Sequence, residues 1–148
     1  MQGKKLYTLG YSGAKLDAIK AFVERENLVV VDTRLSPRSR APMWNKGNLA
    51  MSLGSHYQHI HEFGNQNYKS GGPISLVDVD TGIHRVDYIL ERCDGVVLVC
   101  VCKDLDTCHR KVVCEALEAH YGVAAVHLSA DLHIPPDPDE FLQLKLLL

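Results

Sequence analysis

No run of apolar residues in this chain approaches the roughly 20 needed to cross a bilayer, so a membrane-spanning helix is not expected. The opening stretch MQGKKLYTLGYSG has no long apolar core and no cleavage-like ending, which argues against a signal peptide. A dominant sign of charge is missing too. Sixteen Lys and Arg against 18 Asp and Glu leave a formal net charge of −2, without the global basic field of a nucleic-acid coat. Any anion site must therefore be local. There is no internal repeat and no low-complexity segment. Five cysteines, an odd number without a secretion signal, point to reduced thiols and a cytoplasmic setting.

What is present is the material of one globular domain. With 148 residues and 46% hydrophobic content, the chain is large enough for a proper core, and a single α/β domain over 1–148 is expected. Its most informative stretch is Val96 to Tyr121. Val96 to Cys102 is a continuous apolar, β-branched run, the signature of a central strand covered on both faces. Lys103, Asp104 and Asp106 then interrupt it, and Thr107 can cap a helix. Val112, Val113, Ala116 and Leu117 recur at helical spacing, and Gly122 is a suitable stop.

That helix would begin Thr107-Cys108-His109-Arg110-Lys111, placing cations at the positive end of the helix dipole. Stability alone would not select this arrangement, whereas an anion bound there would explain it. The same helix end would lower the pKa of Cys108. The plainer reading has Arg110 and Lys111 in solvent and Cys108 packed as a small core residue.

The rest of the chain supplies the frame. Lys5 to Leu9 is a short strand candidate, and Ser12 can cap a helix with Leu16, Ile19, Phe22 and Val23 as its apolar stripe, closed by Asn27. Leu28 to Val31 is a second strand, ending in Asp32-Thr33-Arg34. Strand, helix, strand implies a right-handed crossover between parallel strands. Arg34, Arg38 and Arg40 follow in a loop that Pro37 and Pro42 keep from being helical. Three arginines there are placed to clamp phosphate or carboxylate oxygens, because open α/β sheets bind ligands beyond the carboxyl ends of their strands. The plainer alternative is a solvated surface loop whose arginines pair with acidic neighbours.

Asn45 is expected to cap a short helix through Leu53, with Trp44 packed beneath. Tyr57 to His61 reads as a third strand, with Tyr57, His59 and His61 on one face. His56, His59 and His61 lack the further ligands that zinc sites use, so His59 is better read as a hydrogen-bonding or proton-transfer group. Residues 62–73 form a mobile loop, Ile74 to Val79 a small strand, and Thr81 starts a helix carrying Ile83, Val86, Ile89 and Leu90. Val123 to Leu128 is the last strand. The Pro135-Pro136-Asp137-Pro138 break then opens a tail over 134–148 whose apolar helix covers the sheet or mediates self-association as a homodimer. The expected fold is a three-layer α/β sandwich, Rossmann-like, with a mainly parallel sheet of about five strands.

Several segments together resemble the DUF488 family: Leu9-Gly10-Tyr11-Ser12; Val31-Asp32-Thr33-Arg34 with Pro37-Arg38-Ser39-Arg40; Tyr57-Gln58-His59; and Leu98-Val99-Cys100 with Cys108-His109-Arg110. The resemblance implies motif positions at Ser12, Asp32, Arg34, Ser39, Arg40, Tyr57, His59, Cys108, His109 and Arg110. The chain departs from the family pattern at Lys103, where an acidic residue is usual. It departs again at Phe63-Gly64-Asn65, where Leu-Gly-Gly is usual.

Four functions compete. The first is binding or turnover of a phosphorylated or otherwise anionic ligand, a nucleotide or nucleic acid. In that reading Ser12, Arg34, Arg38, Ser39, Arg40, Tyr57 and Arg110 bind it, and Asp32, His59, Cys108 and His109 are the catalytic candidates. No recognised nucleic-acid module supports the polymer. The second is thiol chemistry, but an arginine six positions after the cysteine is absent: Cys102 leads to Cys108, and Cys108 to Cys114. The third is zinc held by Cys100, Cys102, Cys108 and His109; without a Cys-x2-Cys knuckle, no metal or other cofactor is expected. The fourth is a non-catalytic interaction domain using the C-terminal helix.

Overall fold

A computed structural model describes residues 3–101, 105 and 108–132. Five strands form one sheet: β1 (Lys5–Gly10), β2 (Leu28–Asp32), β3 (Tyr57–His59), β4 (Gly95–Cys100) and β5 (Val126–Leu128). The helices are α1 (Leu16–Glu26), α2 (Lys46–Leu53), α3 (Val79–Leu90) and α4 (His109–Tyr121). The sheet order is β3-β2-β4-β1-β5 and every pairing is parallel, so the expected α/β fold is what forms. No helix among the described residues is long and apolar enough to cross a membrane. The C-terminal helix expected over 134–148 lies outside the described residues, as do Cys102 and Thr107.

Alternation along the central strands feeds two cores. Tyr7, Leu9, Leu28, Val30, Val97 and Val99 pack on one face with Ile19, Phe22 and Val23 of α1 and Leu49 and Leu53 of α2. Leu6, Val29, Val31, Val96 and Leu98 pack on the other with Val86 and Ile89 of α3 and Val113 and Leu117 of α4. Right-handed crossovers account for this division. The connections through α1 and α2 run one way along the sheet and those through α3 and α4 run the other, so they cover opposite faces. The chain leaving β2 and the chain leaving β4 therefore part company at the carboxyl-end rim, the position where such sheets form a crevice.

The expected boundaries need correction in several places. The third strand ends at His59, not His61. Its neighbour β2 stops at Asp32, whose carbonyl accepts the last rung from the Ile60 N–H at 3.1 Å. His61–Phe63 then coil into a 3-10 turn, burying Ile60 and Phe63, so His61 does not continue the face of Tyr57 and His59. The stretch Ile74 to Val79 is not a strand of the sheet; it folds back on the preceding loop through an isolated Asn65–Leu76 bridge. Helix α3 starts at Val79, not Thr81, and Asp78 caps it, its carboxylate accepting from the Thr81 N–H at 3.1 Å and Thr81 Oγ1 at 2.7 Å.

Ser12 caps no helix, since α1 starts at Leu16 with Lys15 in the capping position and no side-chain cap. Asn27 does close α1, in the left-handed conformation at φ 55° that asparagine tolerates. Strand β4 ends at Cys100, two residues early, because β1 beside it ends at Gly10. Strand β5 pairs only with Tyr7 to Leu9 and so spans 126–128 rather than 123–128. Helix α4 begins at His109 with Cys108 in the capping position, not Thr107.

Candidate functional site

Asp32, at the carboxyl end of β2, is completely buried, and such a carboxylate requires partners. Arg34 supplies them two residues on: its Nε donates to Asp32 Oδ1 at 2.9 Å and its Nη2 to Oδ2 at 2.7 Å. Nη2 also donates to the Trp44 carbonyl at 2.7 Å, and Nη1 donates to Tyr11 Oη at 3.1 Å. Tyr57 completes the set by donating its hydroxyl to Asp32 Oδ2 at 2.6 Å. Four of the five guanidinium N–H groups are thereby engaged. The Arg34 guanidinium also lies over the Tyr11 ring, 5.2 Å from its centroid, and Tyr11 stacks on Trp44 at 4.4 Å.

These contacts set the ionisation. Burial would lower the pKa of Arg34, but the hydrogen bonds and charge of Asp32 outweigh it and raise it. Burial, reinforced by the Asp32 charge, pushes Tyr57 up. Both groups therefore keep their protons, and the trio is a fixed ion pair with a phenol donor.

The loop carrying Arg38 and Arg40 is held from several sides. Asn45 occupies the capping position of α2 as expected, yet its Oδ1 accepts from the Ser39 N–H at 2.6 Å instead of capping the helix. His59 Nε2 donates to the Arg34 carbonyl at 2.7 Å, and His61 Nδ1 donates to the Leu35 carbonyl at 3.0 Å. A carbonyl can only accept, so these bonds fix which ring nitrogens carry the protons. Gly64 lets the loop approach closely: a Cβ there would stand 2.5 Å from Leu35 Cα. Burial pulls the His59 pKa below its ordinary value, with the Arg34 carbonyl and the Asp32 charge opposing.

Beyond β4 a second group assembles on the other face of the sheet. Cys100, at the last position of β4, and Cys108 and His109, at the start of α4, place one donor atom each within 4.8 Å of one another. His109 Nε2 donates to the Thr33 carbonyl at 2.8 Å, which turns Nδ1 toward Cys100 Sγ, 3.8 Å away. Thr33 is itself anchored, its N–H and its hydroxyl donating to the Val99 carbonyl at 3.1 and 2.9 Å. The Cys108 thiol is held well below its ordinary value. The hydrogen bond from Cys100 is the largest cause, burial opposes it, and His109 and the Arg110 N–H add to it. Cys114, one turn into α4, goes the other way, pushed up to about 12 by burial and by Glu118.

The two groups meet at a cavity of about 500 Å³ on the rim. It is lined by Arg34, Arg38, Ser39 and Arg40 from the β2 side, by Cys100, Val101 and His109 from the β4 side, and by Tyr11 and Tyr68. Of the residues expected from sequence, five therefore border the cavity. Asp32, Tyr57, His59 and Cys108 stand behind its wall, while Ser12 and Arg110 are also outside the lining. Arg110 is only 2% exposed, with Nη1 3.4 Å from Thr8 Oγ1 in the interior. Tyr11, Tyr68, Cys100 and Val101 line it as well, outside the set expected from sequence. Cys100 and Tyr11 had a signal: each sits at or just beyond the carboxyl end of a strand. Tyr68 had none, since it reaches the cavity from a loop of unpredictable path.

The model of the family described as Domain of unknown function DUF488 matches residues 16–71, and this match puts that stretch in the family. It takes in β2, the arginine loop and β3, while the Cys-His-Arg turn lies beyond it. No curated protein and no solved structure matches the chain.

Proposed function

We propose that this protein binds a small phosphorylated or carboxylated molecule in the rim cavity, with Arg38 and Arg40 on its anionic group. One observation carries the reading. Arg38 and Arg40 make no ion pair among the described residues, yet they line the same cavity as Cys100 and His109. Arg34, by contrast, is committed to Asp32 and acts as the rigid floor of the site, with one N–H left to offer. Arginines with no carboxylate to satisfy them attract an anion from solution, and guanidinium forks suit phosphate and carboxylate oxygens.

Cavity size narrows the ligand. About 500 Å³ falls within the range of roughly 300–1,000 Å³ typical of small-molecule sites. Tyr11, Tyr68 and Val101 offer apolar wall for the rest of such a molecule, a nucleoside monophosphate being a suitable size. A polynucleotide would need a continuous basic track, and a chain of net charge −2 has little to build one from. His109, whose ring borders the cavity, and Cys108 behind it are the groups positioned for chemistry on a bound ligand.

A thermal-shift series tests this. Wild type and the Arg38→Ala/Arg40→Ala double variant are heated with inorganic phosphate, sulfate and nucleoside monophosphates. A ligand at about 100 times its dissociation constant adds about 2.7 kcal/mol of stability. Stabilisation of wild type that is lost in the variant is expected. An equal shift in both proteins, or none with any anion, would overturn the reading.

A further inference from the structure

We infer that Cys100, Cys108 and His109 form a binding site for a single zinc-like divalent cation beside the rim cavity. No Cys-x2-Cys knuckle exists in the sequence. Folding supplies a proximity that spacing does not: the end of β4 and the start of α4 bring two sulfurs and an imidazole nitrogen within 4.8 Å of one another. In a tetrahedral site a thiolate and an imidazole ligand stand roughly 3.5 Å apart, given Zn–S and Zn–N distances of about 2.3 and 2.0 Å. Cys100 Sγ and His109 Nδ1 are 3.8 Å apart, so only small side-chain adjustments are needed.

A second observation points the same way. The Thr33 carbonyl receives the Nε2 proton of His109 at 2.8 Å, which fixes the tautomer whose lone pair is on Nδ1, the nitrogen facing the sulfurs. Metal-binding histidines are oriented in this manner, the far ring N–H donating to a carbonyl or carboxylate. Here the carbonyl belongs to a residue tied to β4 by two hydrogen bonds, so the ring is held by the sheet itself.

Donor chemistry selects the ion. Two thiolates and an imidazole suit a borderline-soft cation such as Zn²⁺, and not Mg²⁺ or Ca²⁺, which take oxygen ligands. Among the described residues these three are the protein ligands on offer, one fewer than the four that tetrahedral zinc takes. Because Cys100 and His109 border the cavity, the ion would lie beside the space lined by Arg38 and Arg40. The inference stands apart from the anion reading, since it concerns the metal alone.

The test uses the full chain, freed of metal with a chelator and titrated with Co²⁺ and then Zn²⁺ in the absence of phosphate. One equivalent of Co²⁺ is expected to give thiolate-to-cobalt charge-transfer absorption and tetrahedral visible bands, both abolished by one equivalent of Zn²⁺. Cys100→Ser and Cys108→Ser should each weaken Zn²⁺ binding at least tenfold in competition with a chromophoric chelator, while Cys114→Ser leaves it unchanged. Circular dichroism confirms that each variant is folded. Absence of the thiolate band in folded wild type would overturn the inference, as would an unchanged band and affinity in the Cys100→Ser/Cys108→Ser double variant. Failure of the anion reading would leave these spectra as they are.

Discussion

His109 Nε2 lies 2.8 Å from the carbonyl oxygen of Thr33, a bond that joins the start of α4 to the residue just beyond β2 across a sequence separation of 76 residues. Through it the chains leaving β2 and β4 are fastened together where they diverge. Replacing His109 with Ala removes the donor and leaves the carbonyl unsatisfied. The expected loss is about 1–3 kcal/mol, read as a lower urea midpoint with an unchanged slope.

Arg34→Ala leaves the fully buried Asp32 without its counter-charge. Breaking a buried pair in this way costs about 3–5 kcal/mol. Arg34→Lys keeps the charge but cannot reproduce the fork that reaches both carboxylate oxygens and the Trp44 carbonyl, so it should fall between Ala and wild type. Chemical denaturation of the three proteins checks the order.

Gly64→Ala places a Cβ 2.5 Å from Leu35 Cα and 2.8 Å from its Cβ. Relief requires the backbone of the arginine loop to move, and overpacking of this kind costs about 1–3 kcal/mol. Since Leu35 and Ser36 line the cavity, ligand binding should weaken along with the thermal midpoint.

His59 gives a pH signature. Burial lowers its pKa from the ordinary 6.5, so below that pH the unfolded chain binds a proton that the folded chain refuses. The contribution is therefore fully present above about 6.5 and is lost as pH falls toward the depressed folded value. His59→Gln should flatten the stability profile on the acid side of 6.5 and leave its slope above neutrality unchanged, as measured by urea midpoints across the range.

Much of this was legible in the residues. The β-branched runs at 28–31 and 96–102 announced buried parallel strands, and a parallel sheet places the arginine loop and the Cys-His turn on one rim by topology alone. Less legible was which arginine does what. Spacing treats Arg34, Arg38 and Arg40 alike, whereas burial of Asp32 commits Arg34 to an ion pair and leaves the other two on the cavity. The acidic partner that the plainer reading expects is found for Arg34, while Arg38 and Arg40 are exposed. The Tyr11–Trp44 stack and the approach of Cys100 to His109 depend on long-range packing, which no local pattern encodes. The misplaced strand at Ile74 to Val79 is a propensity overridden by the loop over 62–67, which offers those backbone groups other partners.

The central claim is that Arg38 and Arg40 hold an anion in the rim cavity, and isothermal titration calorimetry with a nucleoside monophosphate tests it most directly. A single saturable site that weakens as salt rises, and that the Arg38→Ala/Arg40→Ala variant loses, is the predicted result. No saturable binding, or the same dissociation constant in the variant, would contradict it.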